Sequence, residues 1–179
     1  MVYILLGTGF EETEAIVPID LLRRAGICVL TVGLNGKTVY GGHGIGIEAD
    51  ITVEELDLTN LEMIVLPGGL GGVASIRASE PAMDAISFAH TNGKFIAAIC
   101  AGPTVLADLG ITNNISAVCY PGCESGMGNA KIINQAAVQD GKIITGASAG
   151  CAIKFALALI AALKGADIAN AIEQQIVIR

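Results

Sequence analysis

The strongest constraint on the fold is the alternation of short apolar runs with segments of helical periodicity. The runs at 2–6, 28–32, 63–66 and 95–99 are rich in the aliphatic residues typical of buried strands. Helical patterns lie between them, and strands that alternate with helices favour a parallel sheet covered on both faces. The sequence therefore predicts an α/β fold, and a chain of 179 residues fits one domain spanning 1–179.

The remaining elements follow from local signals. Helices are predicted at 12–24, 81–92, 103–109, 153–163 and 166–175. Asp140-Gly141 marks a hairpin turn within 138–145, and the Gly-rich stretch 38–48 predicts a second small hairpin at an edge. The apolar stretch 155–163 is too short to span a membrane, so it is expected to be a buried helix.

Charge and cysteine content narrow the function classes. The net charge is −7 and the ten basic residues are scattered, which argues against nucleic-acid binding and against an anionic membrane surface. The N-terminus lacks the basic region and cleavage site of a signal peptide. Five cysteines, an odd number with irregular spacing, indicate reduced thiols and a cytoplasmic protein.

Three strand ends carry unusual residues, at 9–14, 67–72 and 100–103. Ligand sites of open α/β sheets lie beyond the carboxyl ends of the strands. These segments are therefore expected to meet in space and to form one site.

Cys100 directly follows a buried strand and has only small neighbours, as at a nucleophile elbow. The N-terminus of the next helix would lower the pKa of its thiol. The backbone N–H groups of Ala101 and Gly69 are candidates for an oxyanion hole. The alternative is that Cys100 is only a small buried hydrophobic residue.

The carboxylate partner is expected to be Glu14. Glu11 and Glu12 complement the dipole at a helix start or form a solvated face, whereas Glu14 lies one turn further in. A protonated Glu14 that donates a hydrogen bond to the sulfur would avoid repulsion between two anions. We therefore predict a raised pKa for Glu14 and a lowered pKa for Cys100, as a coupled pair.

Four motifs in this order resemble the ThiJ/PfpI superfamily, over residues 2–178. The closest branch resembles the parkinsonism-associated deglycases and their ThiJ-type bacterial and protist relatives. The motifs are Gly-Phe-Glu-Glu-Thr-Glu-Ala (9–15), Asp-Leu-Leu-Arg-Arg-Ala-Gly (20–26), Val-Leu-Pro-Gly-Gly (65–69) and Ala-Ile-Cys-Ala-Gly-Pro (98–103). The resemblance implies a flavodoxin-like three-layer sandwich and a homodimer. By position, Cys100 matches the reactive cysteine of the family and Glu14 its pocket glutamate, and Gly69 and Ala101 match its backbone donors.

The resemblance also implies a function. Members of the family are associated with glutathione-independent glyoxalase activity, with deglycation of methylglyoxal or glyoxal adducts, and with protection against oxidative stress. The expected protein is cofactor-free and acts on small aldehydes or dicarbonyls through Cys100. The alternative is a redox-sensing or chaperone-like protein that works through oxidation of the same thiol.

The sequence departs from the family at two places. The protease branch has a histidine directly after the nucleophile, and Ala101 stands there, so peptidase activity is not expected. The parkinsonism-associated type has a histidine before a proline about twenty residues later, and Tyr120 stands there instead. Tyr120 is a candidate hydrogen-bond donor. His43 lies in the Gly-rich stretch 38–48 and would at most reach a pocket of the other subunit of a dimer. His90 is expected to be a solvated or capping residue.

No metal site is expected. Cys119 and Cys123 are four residues apart without a second Cys/His pair, which is poor spacing for zinc. Cys119 is a candidate pocket wall or resolving thiol for Cys100. Cys28 and Cys151 are expected to be packing thiols, and the Gly-rich stretch 68–72 lacks the Lys-Ser/Thr of a phosphate-binding loop.

Overall fold

A seven-stranded sheet forms the centre of the protein. The computed structural model describes residues 1–178. The strands are β1 (Val2–Leu6), β2 (Val29–Gly33), β3 (Thr38–Tyr40), β4 (Gly46–Glu48), β5 (Ile51–Thr52), β6 (Met63–Leu66), β7 (Phe95–Ile99), β8 (Ser116–Ala117), β9 (Lys131–Ile132), β10 (Ala137–Asp140) and β11 (Ile143–Gly146). The helices are α1 (Glu12–Arg24), α2 (Leu70–Ala78), α3 (Glu80–Thr91), α4 (Pro103–Asp108), α5 (Ala152–Lys164) and α6 (Ala166–Gln175).

The sheet is mostly parallel, which confirms the predicted fold class. Its strand order is β10–β11–β7–β6–β1–β2–β5, and only β10 runs antiparallel to its neighbour. Strands β10 and β11 form the hairpin predicted from Asp140-Gly141, and β3 and β4 form the small antiparallel hairpin predicted from the Gly-rich stretch. The carboxyl ends of β1, β6 and β7 lie side by side, where the site was predicted.

Both faces of the sheet are buried, and β1 shows how. Its side chains alternate, so that Val2, Ile4 and Leu6 pack in the core shared with α1, α5 and α6. Tyr3 and Leu5 point to the other face, into the core shared with α2, α3 and α4. A strand covered on both faces explains the continuous apolar run.

Helix α5 is the buried helix that its apolar stretch predicts. Phe155 and Leu159 are fully buried, within the core that α5 shares with α1 and α6. No helix within residues 1–178 combines the length and the apolarity needed to cross a membrane.

Helix α2 is not predicted by the sequence pattern, because glycine has a low helix propensity. Its glycines allow a close main-chain approach to the loop after β1. A Cβ atom on Gly72 would lie 2.7 Å from Phe10 Cα, and one on Gly71 would lie 2.9 Å from Thr8 O. This packing brings the turn after β6 against the start of α1.

We predict that Gly72→Ala lowers the free energy of unfolding by about 1–3 kcal/mol. The added methyl group would press on the backbone of Phe10, which cannot move aside as a side-chain end could. The urea unfolding midpoint measures the effect.

Gly150→Ala is the matched control, since its Cβ would meet only Ser148 Oγ at 3.9 Å. Equal midpoints for the two variants would show that the α2 contact is not tight.

Candidate active site

Cys100 lies in a strained turn at the end of β7. Its φ angle is 65°, in the left-handed region that side chains rarely adopt. The backbone N–H of Cys100 donates to Gly146 O at 2.9 Å, and Tyr120 N–H donates to Cys100 O at 2.9 Å. Strand β11 and the loop that follows β8 thus hold the turn on both sides, and the thiol is half-buried.

Glu14 lies one turn inside α1 with only 1% of its surface exposed. Glu11 caps the helix, since its Oε2 accepts from Glu14 N at 2.7 Å. Gly68 N–H donates to Glu14 Oε2 at 2.9 Å. Glu14 Oε1 is buried without a hydrogen-bond partner among the described residues. The Cys100 thiol lies beside this carboxyl, and each group shifts the pKa of the other.

The turn after β6 closes the site from the third side. A Cβ atom on Gly68 would overlap Glu14 Oε2 and lie 2.7 Å from Cys100 Cβ, so only glycine fits between the two groups. The backbone N–H groups of Gly69 and Ala101 face the Cys100 sulfur and lower the pKa of its thiol. The structure therefore brings Cys100, Glu14, Gly69 and Ala101 together, and their catalytic roles stay a prediction.

The electrostatics of the pair agree with one expectation and correct the other. Burial raises the pKa of Glu14 to about 7, in the predicted direction. Burial and the neighbouring Glu14 charge raise the pKa of the Cys100 thiol to about 12, so the predicted lowering is wrong. The hydrogen bonds from Ala101 and Gly69 do lower this pKa, but they are outweighed. The following helix α4 has only six residues, and its dipole is correspondingly short.

A carboxyl group with a pKa near 7 is well suited to act as a general base at neutral pH. It can accept the thiol proton while the sulfur attacks, so no thiolate has to exist beforehand. The two groups share their protons, and their ionisations belong to the pair rather than to either residue.

Tyr120 holds the Cys100 turn through its backbone, because its N–H group donates to the Cys100 carbonyl. The residue is 49% exposed, and the role of its side chain as a hydrogen-bond donor stays a prediction. Cys119 is buried in a small cluster with Ala117 and Met127. Its role as a resolving thiol for Cys100 stays a prediction.

Glu12 and His43 form a hydrogen-bonded pair that the sequence did not predict. Glu12 Oε1 accepts from the His43 backbone N–H and Glu12 Oε2 meets His43 Nδ1, both at 2.7 Å. Glu12 is 7% exposed, so it is not the solvated or purely dipole-related residue expected. The hydrogen bond to Glu12 raises the pKa of His43. His90 is exposed near the end of α3, as expected.

Glu11, Glu12 and His43 also place ligand-type atoms within 4.8 Å of one another. Both oxygens of Glu12 are already bonded to His43, and one oxygen of Glu11 caps α1. These carboxylate oxygens therefore hold the β3–β4 hairpin and the start of α1 in place.

Two further thiols are those of Cys28 and Cys151. Cys28 is exposed, which corrects the expectation of a packing thiol. Cys151 is half-buried, with its sulfur 3.8 Å from Ser148 Oγ.

We predict that Glu14→Gln removes a pH dependence of stability. The folded protein holds a proton on Glu14 up to about pH 7, whereas the pKa of an unperturbed glutamate is 4.5. Stability from this group is therefore present below pH 4.5 and is lost as the pH rises to 7, by at most about 3 kcal/mol. Urea unfolding of wild type and variant between pH 4.5 and 8 measures the difference.

The exposed Glu80→Gln on α3 is the control for a charge change alone. Parallel pH profiles for wild type and Glu14→Gln would contradict a buried proton on Glu14.

The comparisons with known proteins agree with this geometry. The model of the DJ-1/PfpI family matches residues 1–162. Protein dj-1beta of Drosophila melanogaster is 36% identical over 167 residues, covering 92% of this chain and 89% of that protein. Its crystal structure has a TM-score of 0.95 and covers 99% of this chain and 97% of that one.

Two further relatives bear on function. A deglycase of Pyrococcus abyssi is 30% identical over 146 residues, covering 80% of this chain and 87% of that protein. The structure of oxidized Toxoplasma gondii DJ-1 has a TM-score of 0.94 at 30% identity and covers 98% of this chain and 97% of that one. The protein described here belongs to the DJ-1/PfpI family.

Proposed function

We propose that this protein is a cofactor-free enzyme that acts on small dicarbonyls, as a glutathione-independent glyoxalase or as a deglycase of methylglyoxal and glyoxal adducts. The observation that carries the proposal is the placement of the Cys100 thiol beside a buried Glu14 carboxyl, the two groups meeting across Gly68, with the pKa of Glu14 raised to about 7. This pair can deliver a nucleophile and receive its proton in one step.

The first step forms a hemithioacetal. The Cys100 sulfur attacks the aldehyde carbon, a C–S bond forms, and the thiol proton passes to Glu14. Negative charge moves from the sulfur to the substrate oxygen. The N–H groups of Gly69 and Ala101, which already face the sulfur, are near enough to follow that charge.

The second step moves a proton within the substrate. Glu14 donates its proton to the substrate alkoxide, then removes the proton of the former aldehyde carbon to give an enediolate. The hydroxyl proton of the substrate passes to the neighbouring enediolate oxygen, and Glu14 returns the carbon-derived proton to the neighbouring carbon, which yields a 2-hydroxyacyl thioester on Cys100. Water hydrolyses the thioester and releases a 2-hydroxy acid and the free thiol. The sequence is an isomerisation followed by hydrolysis, so no electron acceptor is required.

The archaeal relative named a deglycase supports this class of activity. Reaction at a carbonyl also suits the raised thiol pKa, because the general base acts during the attack.

We predict that Cys100→Ser lowers lactate formation from methylglyoxal by at least about 100-fold, since it removes the nucleophile. Glu14→Gln is expected to lower it by about 100-fold through loss of the proton carrier. Lactate production by purified protein is the measurement.

Cys28→Ser, at an exposed thiol outside the site, should keep wild-type turnover. Unchanged lactate formation by Cys100→Ser would contradict the proposed dicarbonyl activity.

The second candidate is redox sensing through Cys100, in line with the oxidized form described for the Toxoplasma gondii relative. Peroxide reacts with the thiolate, and a thiol pKa of about 12 leaves little thiolate at neutral pH. The raised pKa of the thiol therefore supports carbonyl chemistry over oxidation.

Sensing predicts that graded peroxide oxidises Cys100 before the other four cysteines. Peptide mapping after brief exposure gives the order of oxidation. Earlier oxidation of Cys28, whose thiol is exposed, would exclude Cys100 as the primary sensor.

The oligomeric state and the cellular compartment are part of the same proposal, a homodimer in the cytoplasm. A homodimer is supported by exposed apolar side chains on α1 and at the start of α5, Ile16 at 43% and Ile153 at 41%. Five free thiols fit the reducing cytoplasm, where detoxification of dicarbonyls would contribute to protection against oxidative stress.

A further inference from the structure

A chain of polar side chains outside the site leads to one of its two backbone donors. Arg77, in the last turn of α2, donates from Nη2 to Thr104 Oγ1 at 2.9 Å. The Thr104 hydroxyl donates in turn to Ala101 O at 2.7 Å. Arg77 Nε also donates to Asp108 Oδ2 at 2.7 Å, at the end of α4. The proposed reaction at Cys100 uses none of these three polar side chains.

The chain ends at the residue whose N–H group faces the Cys100 sulfur. The peptide between Cys100 and Ala101 is held on its carbonyl side, where Tyr120 N–H donates at 2.9 Å. On the other side of Ala101, the carbonyl accepts from Thr104 Oγ1 and from Thr104 N–H, the latter at 3.1 Å. The direction of the Ala101 N–H group is therefore fixed from both sides, by Tyr120 and by Thr104.

The same arginine restrains the helix that begins at the other donor. Gly69 directly precedes α2, and its carbonyl accepts from Val73 N–H at 2.9 Å in the first turn. Within residues 1–178, the side-chain hydrogen bonds that join α2 to α4 all come from Arg77. One side chain thus connects the helix that starts at Gly69 to the helix that follows Ala101.

The chemistry of the two linking side chains suits this task. Thr104 is only 8% exposed, and its methyl group packs over Gly126, where a Cβ would lie 3.1 Å from it. The guanidinium of Arg77 offers several N–H donors in a fixed plane, so it can bond to a carboxylate and to a hydroxyl at once. A charged donor also polarises that hydroxyl and strengthens the bond that the hydroxyl donates. Because Asp108 balances the charge of Arg77, the effect on the site is one of position.

We propose that Arg77 is a positioning residue, which acts through Thr104 to keep the N–H groups of Gly69 and Ala101 directed at one point. The inference rests on the proposed dicarbonyl activity, in which these two groups follow the charge that moves to the substrate oxygen. Such donors are effective only if they are in place before the charge develops. Their misplacement lowers the rate rather than substrate binding, because the charge is largest in the transition state.

The first test is the steady-state kinetics of lactate formation from methylglyoxal by the full chain. Arg77→Met and Thr104→Val should each lower kcat by about tenfold with an unchanged KM, a smaller loss than outright removal of a donor gives. Arg77→Lys keeps the charge but lacks the planar fork, so it should lose most of the same activity. The double variant should be no slower than the slower single variant, since both substitutions interrupt one chain.

Arg24→Met is the matched control. Arg24 also donates from Nε to a carboxylate, that of Asp20 at 3.0 Å, but within α1. Its side chain is 44% exposed, compared with 41% for Arg77. The control should keep the wild-type kcat. An equal loss of kcat in Arg24→Met, wild-type kinetics in Arg77→Met, or losses that multiply in the double variant would overturn the positioning role.

Amide hydrogen exchange, measured by NMR without substrate, separates failure of this inference from failure of the proposed function. In Arg77→Met the Ala101 amide should exchange at least about tenfold faster than in wild type. The Cys100 amide donates to Gly146 O, outside the chain, and should keep its rate. An unchanged Ala101 rate, or equal acceleration at both amides, would overturn the inference. Absence of lactate formation by wild type would contradict the dicarbonyl activity, and the exchange rates would then decide the role of Arg77 by themselves.

Discussion

The main chain of Gly68 is the contact on which the site depends. Its N–H group donates to Glu14 and its carbonyl accepts from Glu11 N–H, so this residue of the turn after β6 is hydrogen-bonded to the start of α1 through both of its main-chain groups. No side chain fits at this position, since a Cβ would overlap Glu14 and press on Cys100. One glycine thus fixes the separation between the acid and the thiol, and the strained turn at Cys100 is built against it.

Burial decides how that pair can react. Both groups are poorly solvated and at most one can carry a charge, so the more acidic group, Glu14, ionises first. Above about pH 7 the resting pair is then a carboxylate beside a thiol. Such a pair is suited to attack on a carbonyl, where the proton moves as the bond forms.

The sequence predicted the strands and helices that frame the site but not all of the contacts within it. β1, α1, β6 and β7 begin and end where the apolar runs and caps predict. Helix α2 was missed because its glycines have a low helix propensity. They are explained instead by the close approach of α2 to the backbone of Phe10. The Glu12–His43 pair joins residues 31 positions apart, and no local pattern predicts it. The predicted direction of the shift in the Cys100 pKa was wrong, because local sequence does not reveal how strongly burial opposes a short helix dipole.

The two N–H groups that face the Cys100 sulfur belong to Gly69 and Ala101, and neither is a side-chain group. A comparison of side chains alone therefore misses these two hydrogen-bond donors, because any residue that preserves the backbone path would present the same N–H groups. Within the family, two proteins could share every polar side chain of the site and still differ in reactivity, through a small rotation of one peptide plane. The function of this site therefore depends on the backbone conformation as much as on the identity of the residues.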